Sequence, residues 1–503
     1  MLQVKNLNLY MHKDNRLLIK DFSFSLNDGD KIVIIGEEGN GKSTLLKYLY
    51  DESLVEDYIY ATGTVLKKGV FGYLPQFMAE ESQNLTIQEY FEEVDIYENY
   101  DLVDSLRLNY DFLASMQLIK TLSGGEKIKV QLLKLLCKRP DVLFLDEPSN
   151  DLDIETLTFL ESFIRECKIP IIYISHDETL IENTANTIIH IEQLIKKTQC
   201  FITVSRLDYA SYVESRNLQF DKQTQVALKE RSDYKKKRER LLQLYEKAKH
   251  NSGWKNPDGI ASSDGGAKRS MQSLIAKGKR FEREKEQFTD IPDREECLFT
   301  KFDPNICIPS QKRILNFKLE ELKNADKVLA TNVELSVVGN QHICIIGENG
   351  VGKSTLLKLF WEELKNRQDI IASYMPQNYG DIIDYEMTPT EFLQANCDKQ
   401  SFTLALTYLG SMKFTRDEMV HKIGELSGGQ KAKLIFLHMV LQKANVLILD
   451  EPTRNFSPLS APVIRQSLID FNGTIISVSH DRKYLDEAAD VVYVLEKDGL
   501  KKL

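Results

Sequence analysis

Long apolar runs are absent: none approaches the roughly eighteen residues that a membrane-spanning helix requires. The opening, Met1-Leu-Gln-Val-Lys-Asn-Leu7, alternates as a strand does and lacks the zones of a secretory signal. A cytoplasmic protein is therefore expected, with no membrane among its partners. Cysteine is sparse, and its seven residues, Cys137, Cys167, Cys200, Cys297, Cys307, Cys344 and Cys397, are scattered and odd in number, with no Cys-x-x-Cys pair. That argues against a disulfide framework and against a zinc site. Positive charge is in deficit overall, with 65 Lys and Arg against 75 Asp and Glu and a net charge of -10. By itself this speaks against a nucleic-acid binder.

The deficit is not uniform. Residues 221–290 hold 18 Lys and Arg against 11 Asp and Glu, a local surplus of +7. Glycine and proline are missing from Tyr212 to Lys249, where Val226, Leu241, Leu244 and Tyr245 sit among Lys, Arg, Glu and Gln. This composition predicts a long exposed helix. Asn251-Ser-Gly-Trp-Lys-Asn-Pro-Asp-Gly259 reads as a turn, placing a tip at about 250–266. A second helix is expected from about Ala267, with Met271, Leu274, Phe281 and Phe288 as the seam of an antiparallel pair. The hairpin should project from the body of the protein. Lys235, Lys236, Lys237 and Arg238, with Lys268 and Arg269 on the return, suit phosphates, and Trp254 beside Lys255 could stack on a base.

On the amino-terminal side, the strand pattern Lys31-Ile-Val-Ile-Ile35 runs into Gly36-Glu-Glu-Gly39-Asn-Gly41-Lys42-Ser43-Thr44 and a helix. Glycines at this spacing let backbone N–H groups curl around phosphates, Lys42 adds a cation, and Ser43 can ligate Mg²⁺. Tyr10 could stack on a purine or simply pack. Gln76 follows a strand end and could reach a metal and the attacking water. Leu122-Ser123-Gly124-Gly125-Glu126 opens a helix with Ser123 as its N-cap, forming a second anion site. The buried strand Val142-Leu-Phe-Leu-Asp146-Glu147 ends in two carboxylates, Asp146 suited to a hydrated Mg²⁺ and Glu147 to polarising water as general base. Ser149-Asn-Asp-Leu-Asp153 follows, and the strand Ile171-Ile-Tyr-Ile-Ser175 delivers His176 toward the terminal phosphate.

After the hairpin the same motifs recur in the same order: Gly347-Glu-Asn-Gly350-Val-Gly352-Lys353-Ser354-Thr355, Gln377, Ser427-Gly428-Gly429, Asp450-Glu451 and His480. The offset between copies is 311 at the phosphate loop, 301 at the glutamine and 304 at the rest. Five motifs in one order, twice, mean a duplication.

This double set resembles the ATP-binding cassette superfamily, and the resemblance covers nearly the whole chain. It implies an α/β fold of two tandem ABC-type nucleotide-binding domains, 1–207 and 300–503, joined by the helical hairpin linker 208–299. It further implies head-to-tail pairing of the cassettes within a monomer, with each ATP between the phosphate loop of one and the signature of the other. Lys42 and Glu147 would then work with Ser427, Gly428 and Gly429, and Lys353 and Glu451 with Ser123, Gly124 and Gly125. Mg²⁺ would be held by Ser43 and Gln76 in one site and by Ser354 and Gln377 in the other.

Tandem cassettes with a basic hairpin and no membrane segment look like the ABC-F branch of translation factors. The run Glu451-Pro-Thr-Arg-Asn-Phe-Ser-Pro-Leu-Ser460 is similar to the antibiotic-resistance group of Vga, Lsa and Sal, and the short chain end looks most like the Lsa type. That resemblance implies a 70S ribosome partner at the tRNA exit site, with 23S rRNA and P-site tRNA contacts and no DNA. It also implies protection against lincosamides, streptogramin A and pleuromutilins. Two alternatives stand beside it: a housekeeping ABC-F factor, and the ATPase subunit of a membrane transporter. Three departures are visible. Ser457 replaces the counterpart of Asp153, Lys323-Asn-Ala-Asp-Lys327 offers no aromatic matching Tyr10, and glutamine-to-signature gaps of 46 and 49 leave no room for an added arm.

Overall fold

The computed structural model describes residues 1–194, 199–252, 264–286, 288–290, 302–324, 327–395, 399–412 and 414–503. The chain divides into two compact units, 1–210 with 295–503, and 211–294.

In the larger unit the aliphatic runs Lys31–Ile35, Val142–Asp146 and Ile171–Ile174 are buried along their whole length, as strands covered on both faces must be. They centre a six-stranded sheet ordered Phe71–Leu74, Val142–Asp146, Ile171–Ile174, Lys31–Ile35, Thr187–Leu194, Gln199–Ser205. The first five strands are parallel and the last is antiparallel. The duplicated half repeats this sheet as Ala372–Met375, Val446–Asp450, Thr474–Val478, His342–Ile346, Val491–Glu496, Gly499–Lys502. Register places Ile34 and Asp146 both opposite Ile174. The phosphate loop, the carboxylate pair and the histidine therefore leave one edge together, the carboxyl edge at which open α/β sheets bind ligands.

Helices Lys42–Tyr50 and Lys353–Leu364 start after Gly41 and Gly352, whose φ values of 88° and 106° are open to glycine at little cost. Each buries leucines, Leu45, Leu46 and Leu49 in one and Leu356 and Leu357 in the other, against the sheet strands. The halves differ in their antiparallel sheets. Leu17–Ser25, Leu2–Met11 and Ile59–Lys67 form three strands in the first half, while Arg313–Asn324 and Lys327–Val338 form a two-stranded hairpin among the described residues of the second.

The smaller unit carries most of the helices Tyr209–Ser252 and Asp264–Glu286, the first about 66 Å long at 1.5 Å per residue. They run antiparallel, as their paired contacts show. Gln223 Nε2 donates to the Asp290 carbonyl at 2.9 Å, Thr289 N to Glu230 at 2.8 Å, and the Tyr234 hydroxyl to Glu282 at 2.8 Å. Phe288 packs edge-on to Tyr234 with centroids 5.4 Å apart, Lys237 Nζ lies 5.9 Å from the Phe281 centroid, and Leu241 meets Gly278. Lys235, Lys236, Lys237 and Arg238 are exposed, and Lys237 also pairs with Glu284 at 3.6 Å. Lys268 and Arg269 lie on the return helix. Trp254 and Lys255, with most of the expected tip, fall outside the described residues.

Candidate nucleotide sites

Each phosphate loop folds its lysine inward. Lys42 Nζ donates to the carbonyls of Gly36 and Glu37 at 2.9 and 3.2 Å, and Lys353 Nζ to those of Gly347 and Glu348 at 2.8 and 2.9 Å. Burial lowers the pKa of both ammonium groups. Gly36 and Gly347 have no room for a side chain, since a Cβ would stand 2.4 and 2.5 Å from the carbonyl oxygens of Ile191 and Leu495. Gly39 and Gly350 turn with φ of 76° and 82°.

The carboxylates follow from the strand ends. Asp146 accepts from Ser43 Oγ at 2.9 Å and from the Tyr73 hydroxyl at 3.1 Å. Burial raises its pKa and that of Asp450. At Asp450 one oxygen, Oδ2, is buried without a hydrogen-bond partner among the described residues, a donor set that fits a cation. Glu147 and Glu451 both take positive φ, 49° and 53°, a conformation costly for a side-chain-bearing residue and concentrated at functional sites.

The two glutamates then diverge. Glu147 Oε2 accepts from Gln76 Nε2 at 2.8 Å and Asn150 Nδ2 at 2.5 Å, and His176 Nε2 lies 3.5 Å from Oε1. Burial pushes its carboxyl up, but His176, Asn150 and Lys42 outweigh burial and hold it at about 2. Glu451 accepts from the His480 backbone N at 3.2 Å, and burial pushes it up to about 8. His480 itself is lowered to about 4 by burial. Its Nε2 is 3.9 Å from Glu451, and the lowered imidazole and the raised carboxyl both work against an ion pair there.

Both signature helices begin with a full capping box, Ser123 with Glu126 and Ser427 with Gln430. Each points at the other cassette. Gly429 N donates to Glu38 Oε2 at 2.7 Å, and Lys433 Nζ lies 3.4 Å from Glu37. A Cβ at Gly124 would lie 3.8 Å from Asn349 Nδ2, and that amide donates to the Asp151 carbonyl at 2.6 Å. The phosphate loop of each half thus faces the signature of the other. His176 Nδ1 sits 2.9 Å from the Phe456 carbonyl, also across the interface.

The second composite site encloses a cavity of about 380 Å³ lined by Lys353, Ser354, Thr355, Gln377, Asp450 and His480 together with Ser149, Asn150 and Asp151 of the first half. Between Glu37, Glu38 and the facing Ser427 and Gly429 lies a small cleft of about 20 Å³. Tyr10 stacks on Tyr60, centroids 4.9 Å apart and planes 8° off parallel. Asp153 caps the helix Ile154–Glu166 by accepting from Thr156 N. Ser457 instead bonds Ser460, and its helix, Ala461–Ile469, begins with proline near its start and is four residues shorter.

Several contributors went unmarked by motif reading. Asn150 supports Glu147, whereas its counterpart at the 304 offset, Arg454, reaches across to Asp151 at 2.8 Å. Beside the histidines, Arg465 and Arg482 meet Glu178 and Glu161, both at 2.7 Å, and Lys483 meets Glu178 and Glu182 at 2.9 and 2.5 Å. Glu161 and Arg465 are equivalent positions, as are Glu178 and Arg482. Opposite charge at duplicated positions was the available signal.

A nucleotide loop, a carboxylate pair and a facing signature, built twice, define an ATPase of paired cassettes. The ABC transporter family profile matches residues 19–150 and 330–454, just over half of the chain, and the chain belongs to that family and hydrolyses ATP. Over nearly its whole length it is similar to ABC transporter F family member 5 of Arabidopsis thaliana, 24% identical across 96% of this chain and 73% of that one. It is likewise similar to ribosome protection protein VmlR of Bacillus subtilis (strain 168), 26% identical across 98% and 87%. The archaeal ribosome recycling factor aABCE1, in complex with ribosomal stalk protein aP1, shares the fold with a TM-score of 0.60 at 17% identity, across 99% of this chain and 90% of that one. The chain is thus an ATP-binding protein with ABC-F homologues. No described helix is long and apolar enough to cross a membrane.

Proposed function

We propose that this ATPase works in the cytoplasm on the 70S ribosome and protects the peptidyl transferase centre from lincosamide, streptogramin A and pleuromutilin antibiotics by extending its hairpin toward the P-site tRNA. The observation that carries the reading is the exposed cationic block Lys235–Arg238 on a long helical hairpin that joins two ATP cassettes in one chain. Similarity to a ribosome protection protein along 98% of the chain supports it. Glu147 and, in its ionised form, Glu451 orient and deprotonate water, His176 and His480 hold the terminal phosphate, and Ser43, Gln76, Ser354 and Gln377 hold Mg²⁺. When bound, that ion neutralises phosphate charge.

Bacterial cell-free translation inhibited by lincomycin or tiamulin tests the reading, because it contains no export route. Added protein with ATP should restore synthesis. Ribosome binding without recovery would favour a housekeeping factor, and absence of ribosome binding would remove the proposal. Replacing Lys235, Lys236, Lys237 and Arg238 with Gln should weaken ribosome binding and flatten its salt dependence by about one unit of slope per lost phosphate contact. An unchanged slope would make the block a spacer.

A further inference from the structure

The two phosphate loops differ at one position aimed across the interface. Residue 38 is glutamate and its equivalent, 349, is asparagine. The Glu38 carboxylate accepts the hydrogen bond of Gly429 N, and its oxygens lie 3.3 Å from the Cβ position of Gly428. Gly428 and Gly429 are the first residues of a fourteen-residue helix. Backbone N–H groups in that first turn have no partner within the helix and carry its partial positive charge. An anion there is stabilised, and Glu38 supplies one from within the chain. At the other site Asn349 is neutral and donates to the Asp151 carbonyl, and it is an amide nitrogen that stands near Gly124 from across the interface.

We infer that Glu38 is an internal competitor for nucleotide phosphate: it occupies the signature amides of the second cassette at site one until ATP displaces it, so that site two fills first. This rests on the reading that the facing signatures receive the ATP phosphates. Two anions cannot share one N–H donor at one helix terminus, so a phosphate entering the seat must first break the Glu38 bond. The carboxylate also bridges the cassettes before nucleotide arrives. The asymmetry thus lies in the resting chain, in a residue of the phosphate loop itself, and does not require different catalytic groups.

Calorimetric titration of the full chain with a non-hydrolysable ATP analogue and Mg²⁺ tests this. Lys353→Ala leaves site one as the reporter, and Lys42→Ala leaves site two. In the first background, Glu38→Asn and Glu38→Gln should each tighten binding about tenfold, the worth of one charge-assisted hydrogen bond. In the second background the same changes should leave affinity as it was, while Asn349→Glu should weaken it about tenfold by placing the competitor in site two. Unchanged or weaker site-one binding in both Glu38 variants would overturn the inference while leaving the ATP sites intact. Failure of either site to bind in any background would overturn the site reading and this inference together.

Discussion

Glu147 and Glu451 stand at equivalent strand ends, with the same strained backbone and a histidine close by, yet one is held near 2 and the other is raised to about 8. The difference comes from how the neighbouring groups meet each carboxylate, the motif His176 first among those that lower Glu147. Asn150 and Gln76 donate to Glu147, while the Arg454 side chain, at the position of Asn150, pairs with Asp151, and at Glu451 burial outweighs the His480 N–H and the charges of Lys353 and Arg454. A duplicated motif therefore specifies which groups are present, and its neighbours set their charge. The same lesson holds at the phosphate loops, where Glu38 accepts from the Gly429 amide and Asn349 donates to the Asp151 carbonyl.

The largest expected effect removes both members of the comparison. Glu147→Gln with Glu451→Gln should lower ATP turnover by at least about 100-fold while preserving ATP binding, as loss of a general base requires. Phosphate release and nucleotide binding, measured side by side, check it. Normal turnover in the double variant would remove these carboxylates from the chemistry.

Next in size is the charged interface beside the histidines. Arg465 is only 2% exposed and holds Glu178 and Glu487, both through hydrogen bonds shorter than 3 Å. Arg465→Glu places a carboxylate in a buried position against Glu178 and should cost about 3–5 kcal/mol in urea unfolding. Because the first half contributes carboxylates and the second half cations, each half is complementary to the other and repels its own kind. Arg482→Glu should accordingly be partly rescued by Glu161→Arg, whereas additive losses would show that the pair at 2.7 Å contributes no coupling.

A smaller effect distinguishes the glutamates by pH. Burial lifts Glu451 to about 8 in the folded chain, so the folded state keeps a proton that the unfolded state has released. That stabilisation is complete below the unfolded pKa and is lost as pH rises toward about 8. The depressed Glu147 behaves oppositely, contributing stability above its unfolded pKa that is lost only as pH falls toward about 2. Between about pH 5 and pH 8 the melting temperature should therefore fall less in Glu451→Gln than in the parent chain. Equal slopes would mean that Glu451 is ionised throughout.

The smallest test concerns the loops that follow the glutamates. Asp153 caps a thirteen-residue helix, so Asp153→Ala should cost about 1 kcal/mol. Ser457 donates to Ser460 and has no helix to cap, so Ser457→Ala should cost less in the same urea titration.

The chain's own residues determined the repeat, the order of the five motifs, the buried parallel strands and the helical hairpin, because each depends on local spacing. Glycines at loop spacing, aliphatic runs ending in Asp-Glu, and a glycine-free charged stretch state their structure within a short window of sequence. The Ser457 departure was legible too, since an N-cap is a local feature. Only the tertiary structure decided that Glu38 reaches the Gly429 amide, that Asn150 and Arg454 part company, and that Arg465 meets Glu178. Apart from Asn150, which meets Glu147 three residues away, these contacts join residues separated by the whole hairpin, and their charges depend on burial that no single segment creates alone. Motif positions were therefore readable in one dimension, and the inequality of the two sites became readable when the halves were brought face to face.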